Sequence, residues 1–286
     1  MAFLTVLFNG ISYGMLLFII AVGLSVTMGM MKFVNLMHLS LAMAGGYLLV
    51  SLTSQFGLSF FACLPVVFVA IGILSALLER GVLRFFYAAD ELTQVLLTVG
   101  LVYLASAIAM YFFGSTFQPV HLPDSIVGQT TIVGVTIDRY RIFLFVIGIF
   151  LAFAMTYGLE RTKFGAMVRA CVDNRRAASG SGLNISMIFA VTFAIGGGLA
   201  GLGGALSANL LGLDPMFAQR YLVYALIVTS VGGQGSIKGT LLASVVMGVA
   251  DSLSKYYLDQ LGGVMIYALT VMIMLWRPNG FFGRTT

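Results

Sequence analysis

The chain has 286 residues, 60% of them hydrophobic and only 9% charged, with a mean hydropathy of +1.03. Soluble domains are about one-quarter charged, so this composition excludes a soluble enzyme or binding module and specifies a polytopic membrane protein. A net charge of +5 would suggest nucleic acid in a soluble chain, but here the cations are better read as loop residues that set orientation.

Apolar runs predict helices over Ala2–Met30, Leu39–Thr53, Phe60–Leu78, Val95–Phe113, Ile142–Leu159, Ser186–Leu211, Tyr221–Val231, Leu241–Tyr257 and Val264–Trp276. The first run carries no basic flank and no small-residue cleavage site, so it is expected to stay as a span. A helix needs about 20 residues to cross the hydrocarbon, and the runs at Leu39 and Tyr221 are short. Each follows a polar or proline-containing stretch, Lys32–Ser40 and Leu213–Arg220, and each ends near a Gly-Gly pair. That correspondence predicts two halves related by an inverted repeat with broken helices.

Asn35, His38 and Ser40 form a polar group ahead of the second run. A lone histidine without nearby Cys, His or carboxylate partners is a poor metal site, so no metal is expected. Bonding to broken backbone or lining a polar passage suits it better. Gln94 and Thr98, one turn apart at the start of a span, are candidates for the same passage. The longest connection, Gly114–Arg141, contains Pro119, Pro123 and a TTIVGVTI alternation, which predicts a small hairpin or an amphipathic cap.

Gly158–Gly182 is the longest polar interruption and holds five of the fifteen Lys and Arg residues: Arg161, Lys163, Arg169, Arg175 and Arg176. It cannot lie in hydrocarbon. Arg169 is four residues from Asp173, and Asp173 three from Arg176, while Phe164, Val168, Cys171 and Val172 share a second face, so a short amphipathic helix is predicted. Its expected role is docking to a soluble partner; the plainer reading is a solvated loop. Counting cations with this loop inside gives Lys32, Arg80, Arg84, the five loop cations, Lys238, Arg277 and Arg284 against Arg139, Arg141, Arg220 and Lys255. That bias places the C-terminus in the cytoplasm, whereas the N-terminal side depends on whether a short run is re-entrant.

Gly197 with Gly201, and Ala200 with Gly204, form small ridges that let helix backbones approach closely in lipid. Tight packing within one subunit is the expected use, ahead of a pore lining. GGQGSIKGT over Gly232–Thr240 is not a phosphate loop, because Lys238 precedes Gly239 and no strand leads in; a turn with Ser236 capping the next helix is expected. Asp251, the one carboxylate read as lying well inside an apolar run, is expected to pair with Lys255. Cys63 and Cys171 should lie at different depths without a disulfide. No metalloprotease or nucleophile-elbow signature is present, so catalysis is not expected and no cofactor is implied.

Four blocks together carry a family resemblance: YGMLLFIIAVGLSVTMGMMKFVNLMHLSLAMAGGY, RTKFGAMVRACVDNRRAASGSGLN, FAIGGGLAGLGGAL and VGGQGSIKGTLLASVVMGVADS. The chain resembles permease subunits of the ABC importers for branched-chain and other hydrophobic amino acids, specifically the first of their two permeases. It departs from the usual Asn-Phe-Ala-His-Gly type run by reading Asn35-Leu-Met-His38-Leu-Ser40. The resemblance implies one all-helical domain over residues 1–286, of the type II importer kind, with eight or nine transmembrane helices, some short or broken, in the bacterial inner membrane. It implies that residues 160–182 form the coupling element, with Arg161, Lys163, Phe164, Gly165, Arg169, Asp173 and Arg176 facing an ATPase. Asn35, His38, Gln94 and Thr98 would line the translocation path. The implied partners are a longer homologous permease, two cytoplasmic ATPases and a periplasmic binding protein. Related substrates include urea, amides and organic acids. The competing expectation is a self-contained secondary transporter or channel for a small polar solute.

Overall fold

The computed structural model describes residues 2–31, 33, 35–132, 134–258 and 262–283. Lys32 and Arg284, which enter the cation count, lie outside the described residues. Eleven α-helices occur among the described residues: α1 (Ala2–Met31), α2 (His38–Ser54), α3 (Phe60–Gly81), α4 (Glu91–Phe113), α5 (Arg139–Arg161), α6 (Lys163–Asp173), α7 (Arg175–Gly180), α8 (Ile185–Leu211), α9 (Phe217–Gly232), α10 (Ile237–Tyr257) and α11 (Gly262–Trp276). Each of the nine apolar runs lies inside one helix. Six helices (α1, α3, α4, α5, α8 and α10) are long and apolar enough to cross a membrane, while α2, α9 and α11 span 17, 16 and 15 residues. The protein is an all-α polytopic membrane protein with one appended antiparallel hairpin, β1 (Gln129–Ile132) and β2 (Val135–Asp138), in the connection where TTIVGVTI alternates.

Several helices start before their apolar run because a polar first turn precedes it. Asp90 accepts from Thr93 N at 3.1 Å to open α4, and Asp138 accepts from Tyr140 N at 2.9 Å to open α5. Hydrogen bonds from the Thr93 hydroxyl and amide hold the Asp90 carboxyl below the usual carboxylate range. Thr162, Asn174, Asn184 and Ser236 cap α6, α7, α8 and α10 in the same way. The short helices α2 and α9 differ: Met37 and Met216 precede them and provide no side-chain cap. α2 begins within the protein, with His38, Leu39 and Ser40 all buried, whereas α9 begins beside Asp214, which accepts from Met216 N at 3.1 Å and pairs with Arg220.

The helix pairings repeat in inverted order. α1 packs antiparallel on α10, with Gly10 against Val249 and Gly14 against Ser244 and Val245. α3 packs on α8 in the same sense, with Phe68 against Gly198 and the Ser75 hydroxyl donating to the Phe193 carbonyl at 2.9 Å. α2 meets α3 and α8 as α9 meets α10 and α1; α2 also touches α9, and α4 leans on α2 as α11 leans on α9. α2 leads toward the hairpin, whereas α9 leads away from it. This is the pattern of two inverted halves, α1–α4 and α8–α11, joined through α5–α7.

The four ridge residues of α8 are buried against helices of the same chain. A Cβ on Gly204 would overlap the Ala42 backbone of α2, one on Gly197 the Ser75 side chain of α3, and one on Gly201 would sit 2.7 Å from Ile71 Cβ; Ala200 is fully enclosed. Gly45 of α2 has the backbone of Gly201 where its own Cβ would be. Absent side chains thus set the helix spacing at the centre of the bundle, where dispersion rather than the hydrophobic effect holds helices together.

Candidate functional site

α5 ends at Arg161, the chain turns once at Thr162, and α6 folds back beneath the bundle. Thr162 makes the corner by donating its hydroxyl to the Gly158 carbonyl and accepting from Gly165 N at 3.1 Å. Gly165 is required there, because a Cβ would strike the Leu159 and Gly158 carbonyls. Arg169 donates to the Leu159 carbonyl, binding the middle of α6 to the end of α5. Val168 and Cys171 are buried, Phe164 is half-buried, and α6 touches α1 and α8 as well as α5. Burial pushes the Cys171 thiol pKa up, so it keeps its proton at neutral pH.

The outer face of this corner is open. Arg161, Lys163, Asp173, Arg175 and Arg176 are exposed around it. A cleft of about 310 Å³ separates α6 from the glycine-rich turn before α10, lined by Gly29, Arg169, Asp173, Gln234 and Lys238 among others. Ser236 does cap α10, accepting from Gly239 N at 3.0 Å. Gly235 N reaches the Ser25 carbonyl at 3.0 Å, so this turn is fastened to the end of α1. Lys238 pairs with Glu160 at 2.8 Å across the cleft mouth; both are half-exposed, so the pair contributes little to stability.

Asn35 and His38 are each 1% exposed, and the His38 ring hydrogen-bonds the backbone at Ile20, midway along α1. The break before α2 therefore lies in the interior. Both polar atoms of the Asn35 amide, His38 Nε2 and the Ser40 hydroxyl find no partner among the described residues. Buried polar groups are nearly always paired, so four orphaned atoms in six residues mark an unusual site. Gln94 and Thr98 are buried but differently engaged. The Gln94 amide donates to the Phe86 and Ala89 carbonyls at 3.3 and 3.0 Å, tying down the turn before α4, and Thr98 donates to the Gln94 carbonyl at 2.9 Å.

One buried group escaped the sequence reading. The apolar run ends at Leu78, but α3 continues to Gly81, and the Glu79 this adds is 1% exposed. Tyr87 donates to Glu79 Oε1 at 2.7 Å; burial first, and then that bond, push the tyrosine hydroxyl well above its usual range. A tyrosine eight residues after an acid at a helix end was the available signal. The Asp251–Lys255 pair forms as expected, at 2.7 Å.

Comparison with known proteins decides what this arrangement belongs to. The family described as branched-chain amino acid transport system / permease component matches residues 6–274. The chain belongs to this family. These permeases are transport proteins rather than enzymes, and the six long apolar helices agree with a multi-pass member. The permease is 28% identical to the high-affinity branched-chain amino acid transport system permease protein BraD of Pseudomonas aeruginosa, over 99% of this chain and 96% of that one. It is 26% identical to LivH of Salmonella typhimurium over the same shares. LivM of Salmonella typhimurium is also related, at 27% identity over 95% of this chain and 68% of its own length. No solved structure matches the permease.

Proposed function

We propose that this permease is the first of two membrane subunits of an ATP-driven ABC importer in the bacterial inner membrane, carrying branched-chain or other hydrophobic amino acids. A periplasmic binding protein delivers the solute, two ATPases dock on the cytoplasmic face, and a longer homologous permease completes the pathway. The observation that carries this reading is the family match over residues 6–274, and the α5–α6 corner gives it a mechanism. Its relationship to both LivH and LivM supports a pair of unlike permeases.

In this reading α6 and α7 seat in the ATPase, with Arg161, Lys163 and Arg176 offering charge and Phe164 the apolar anchor. Gly165 and Arg169 bind α6 rigidly to α5, so a movement of the ATPases moves the helix itself rather than a loose loop. A run of ring contacts then leads inward. The Arg175 guanidinium lies 5.1 Å from the Phe189 ring, Phe189 is 6.3 Å from Tyr87, and Tyr87 is 5.5 Å from Phe33, two residues before Asn35. Motion at α7 is thereby passed to the break before α2, where Asn35, His38 and, a few turns away, Gln94 and Thr98 line the path. The orphaned polar atoms of Asn35 and His38 gain partners when that path is hydrated or occupied.

Reconstitution tests the reading: this chain is co-purified with a neighbouring permease, ATPase and binding protein, and uptake of labelled leucine, isoleucine and valine is measured. ATP-dependent uptake that needs all components is the expected result. Gradient-driven uptake by this chain alone would replace the importer with a secondary transporter.

A further inference from the structure

A cleft of about 370 Å³ runs between α3 and α8 on the outside of the bundle. Both helices are long and apolar enough to cross a membrane, so the cleft opens at hydrocarbon depth. Small residues make its floor: Gly72 and Ala76 of α3, with Ala190 and Ala194 of α8. A Cβ on Gly72 would lie 3.0 Å from the Ala194 carbonyl, so the two backbones nearly touch there. Larger side chains stand at the rim, with Ile73 56% and Leu77 64% exposed.

The cleft has a direction. Along α3 it runs from Phe68 to Arg80, about 18 Å at 1.5 Å per residue. That is close to half of a hydrocarbon core of about 30 Å, so it crosses one leaflet. Every residue lining it is apolar except Arg80, in the last turn of α3 on the α6 side of the bundle. Arg84, one turn on, lies over the Phe85 ring at 4.8 Å. Arg80 is exposed and, among the described residues, has no carboxylate within ion-pair distance. Spread over its length, the cleft is roughly 4–5 Å across, close to the contact distance of two apolar groups. A helix is about 10 Å across and would bridge the rim with the floor left empty. A single hydrocarbon chain fills it, and a chain that starts at a free cation and ends at mid-membrane carries an anionic head group.

We propose that this cleft binds one anionic glycerophospholipid, with an acyl chain laid along Gly72, Ala76, Ala190 and Ala194 and the phosphate held by Arg80. The guanidinium fork matches two phosphate oxygens. The chain supplies the dispersion contacts that small residues leave unmade between α3 and α8. The site makes no use of the importer reading.

The test measures lipid retention by native mass spectrometry of the full-length chain, released from nanodiscs of equal parts dioleoyl phosphatidylglycerol and dioleoyl phosphatidylcholine. One phosphatidylglycerol should stay bound, preferred about five-fold over phosphatidylcholine, the weight of one cation beside an anionic lipid. Arg80→Gln should abolish the preference, and Ala76→Phe should expel the lipid by filling the cleft. The lipid comparison on the unaltered chain needs no variant to fold. Equal retention of the two lipids, or no retained lipid, would overturn the proposal. So would an unchanged preference in folded Arg80→Gln, or unchanged retention in folded Ala76→Phe. The rival occupant is a second membrane subunit. Cross-linking of Ile73→Cys to a co-purified permease, with no lipid retained in the assembly, would make the cleft a subunit interface and overturn the proposal as well. Lipid selectivity without ATP-driven uptake would reject the importer and leave this site standing.

Discussion

α8 and α4 are both long, strongly apolar helices, yet 67% of the most apolar stretch of α8 is buried and only 22% of that of α4. Hydropathy does not separate them; side-chain size does. α8 brings Gly197, Ala200, Gly201 and Gly204 against α2 and α3, so backbones touch, whereas α4 turns large side chains outward, with Tyr111 84% and Phe112 72% exposed. In lipid an apolar side chain gains little by leaving its surroundings, so small residues mark the centre of the bundle and bulky ones its boundary with lipid or a partner subunit. α5 repeats the second pattern, with Phe150 and Phe153 exposed, and it carries α6 at its end.

The sharpest break of this contrast exchanges size. Gly204→Leu has no room beside Ala42 and should cost at least the 1–3 kcal/mol or so typical of overpacking, seen as loss of a monodisperse, thermally cooperative protein. Gly100→Leu in α4 meets open space and should stay within about 0.5 kcal/mol of the parent. Equal effects at the two glycines would remove the distinction between core and boundary. Next in size is function at the α5–α6 corner: Gly165→Trp and Arg169→Glu should abolish uptake while membrane insertion persists. Parental uptake in both would refute the coupling role. Tyr87→Ala, which cuts the ring contacts between Phe189 and Phe33, should slow transport about ten-fold or more if those contacts carry the motion, with binding of the ATPase unchanged on co-purification.

Cysteines at Asn35, His38, Gln94 and Thr98 should react with small polar thiol reagents in at least one transport state, and protection in every state would remove them from the path. The smallest expected effect concerns pH. The Asp90 carboxyl is held low by Thr93, so its contribution to the start of α4 is present above the ordinary carboxylate range and is lost as pH falls through its own lowered value. Amide exchange in the first turn of α4 should rise there, and not in α8, which Asn184 caps.

Much of this was legible in the sequence. Nine apolar runs, the alternation at TTIVGVTI and the amphipathic spacing from Phe164 to Val172 are local patterns, and each became the element expected. What was not legible depended on contacts far apart in the chain. The spacing of Gln94 to Thr98 gives no hint that the Gln94 amide also ties down the turn before α4 through the Phe86 and Ala89 carbonyls. Glu79 follows the apolar run that ends at Leu78, and its burial depends on Tyr87, which reaches it from beyond the helix. The inverted pairing of α1–α10 with α8–α3 left only a faint trace in residue identity, because glycine spacing and direction, rather than particular side chains, maintain it.

The central claim is that α6 couples this permease to a motor on the cytoplasmic side, and labelling at Lys163→Cys and Arg176→Cys tests it most directly. Both positions are exposed, while the native Cys63 and Cys171 are buried, with the Cys171 thiol held protonated. Cross-linking of both positions to a co-expressed ATPase, and labelling by an impermeant maleimide only in inverted vesicles, is the predicted result. Labelling from the outside of intact spheroplasts would place α6 beyond the reach of any cytoplasmic ATPase and contradict the account.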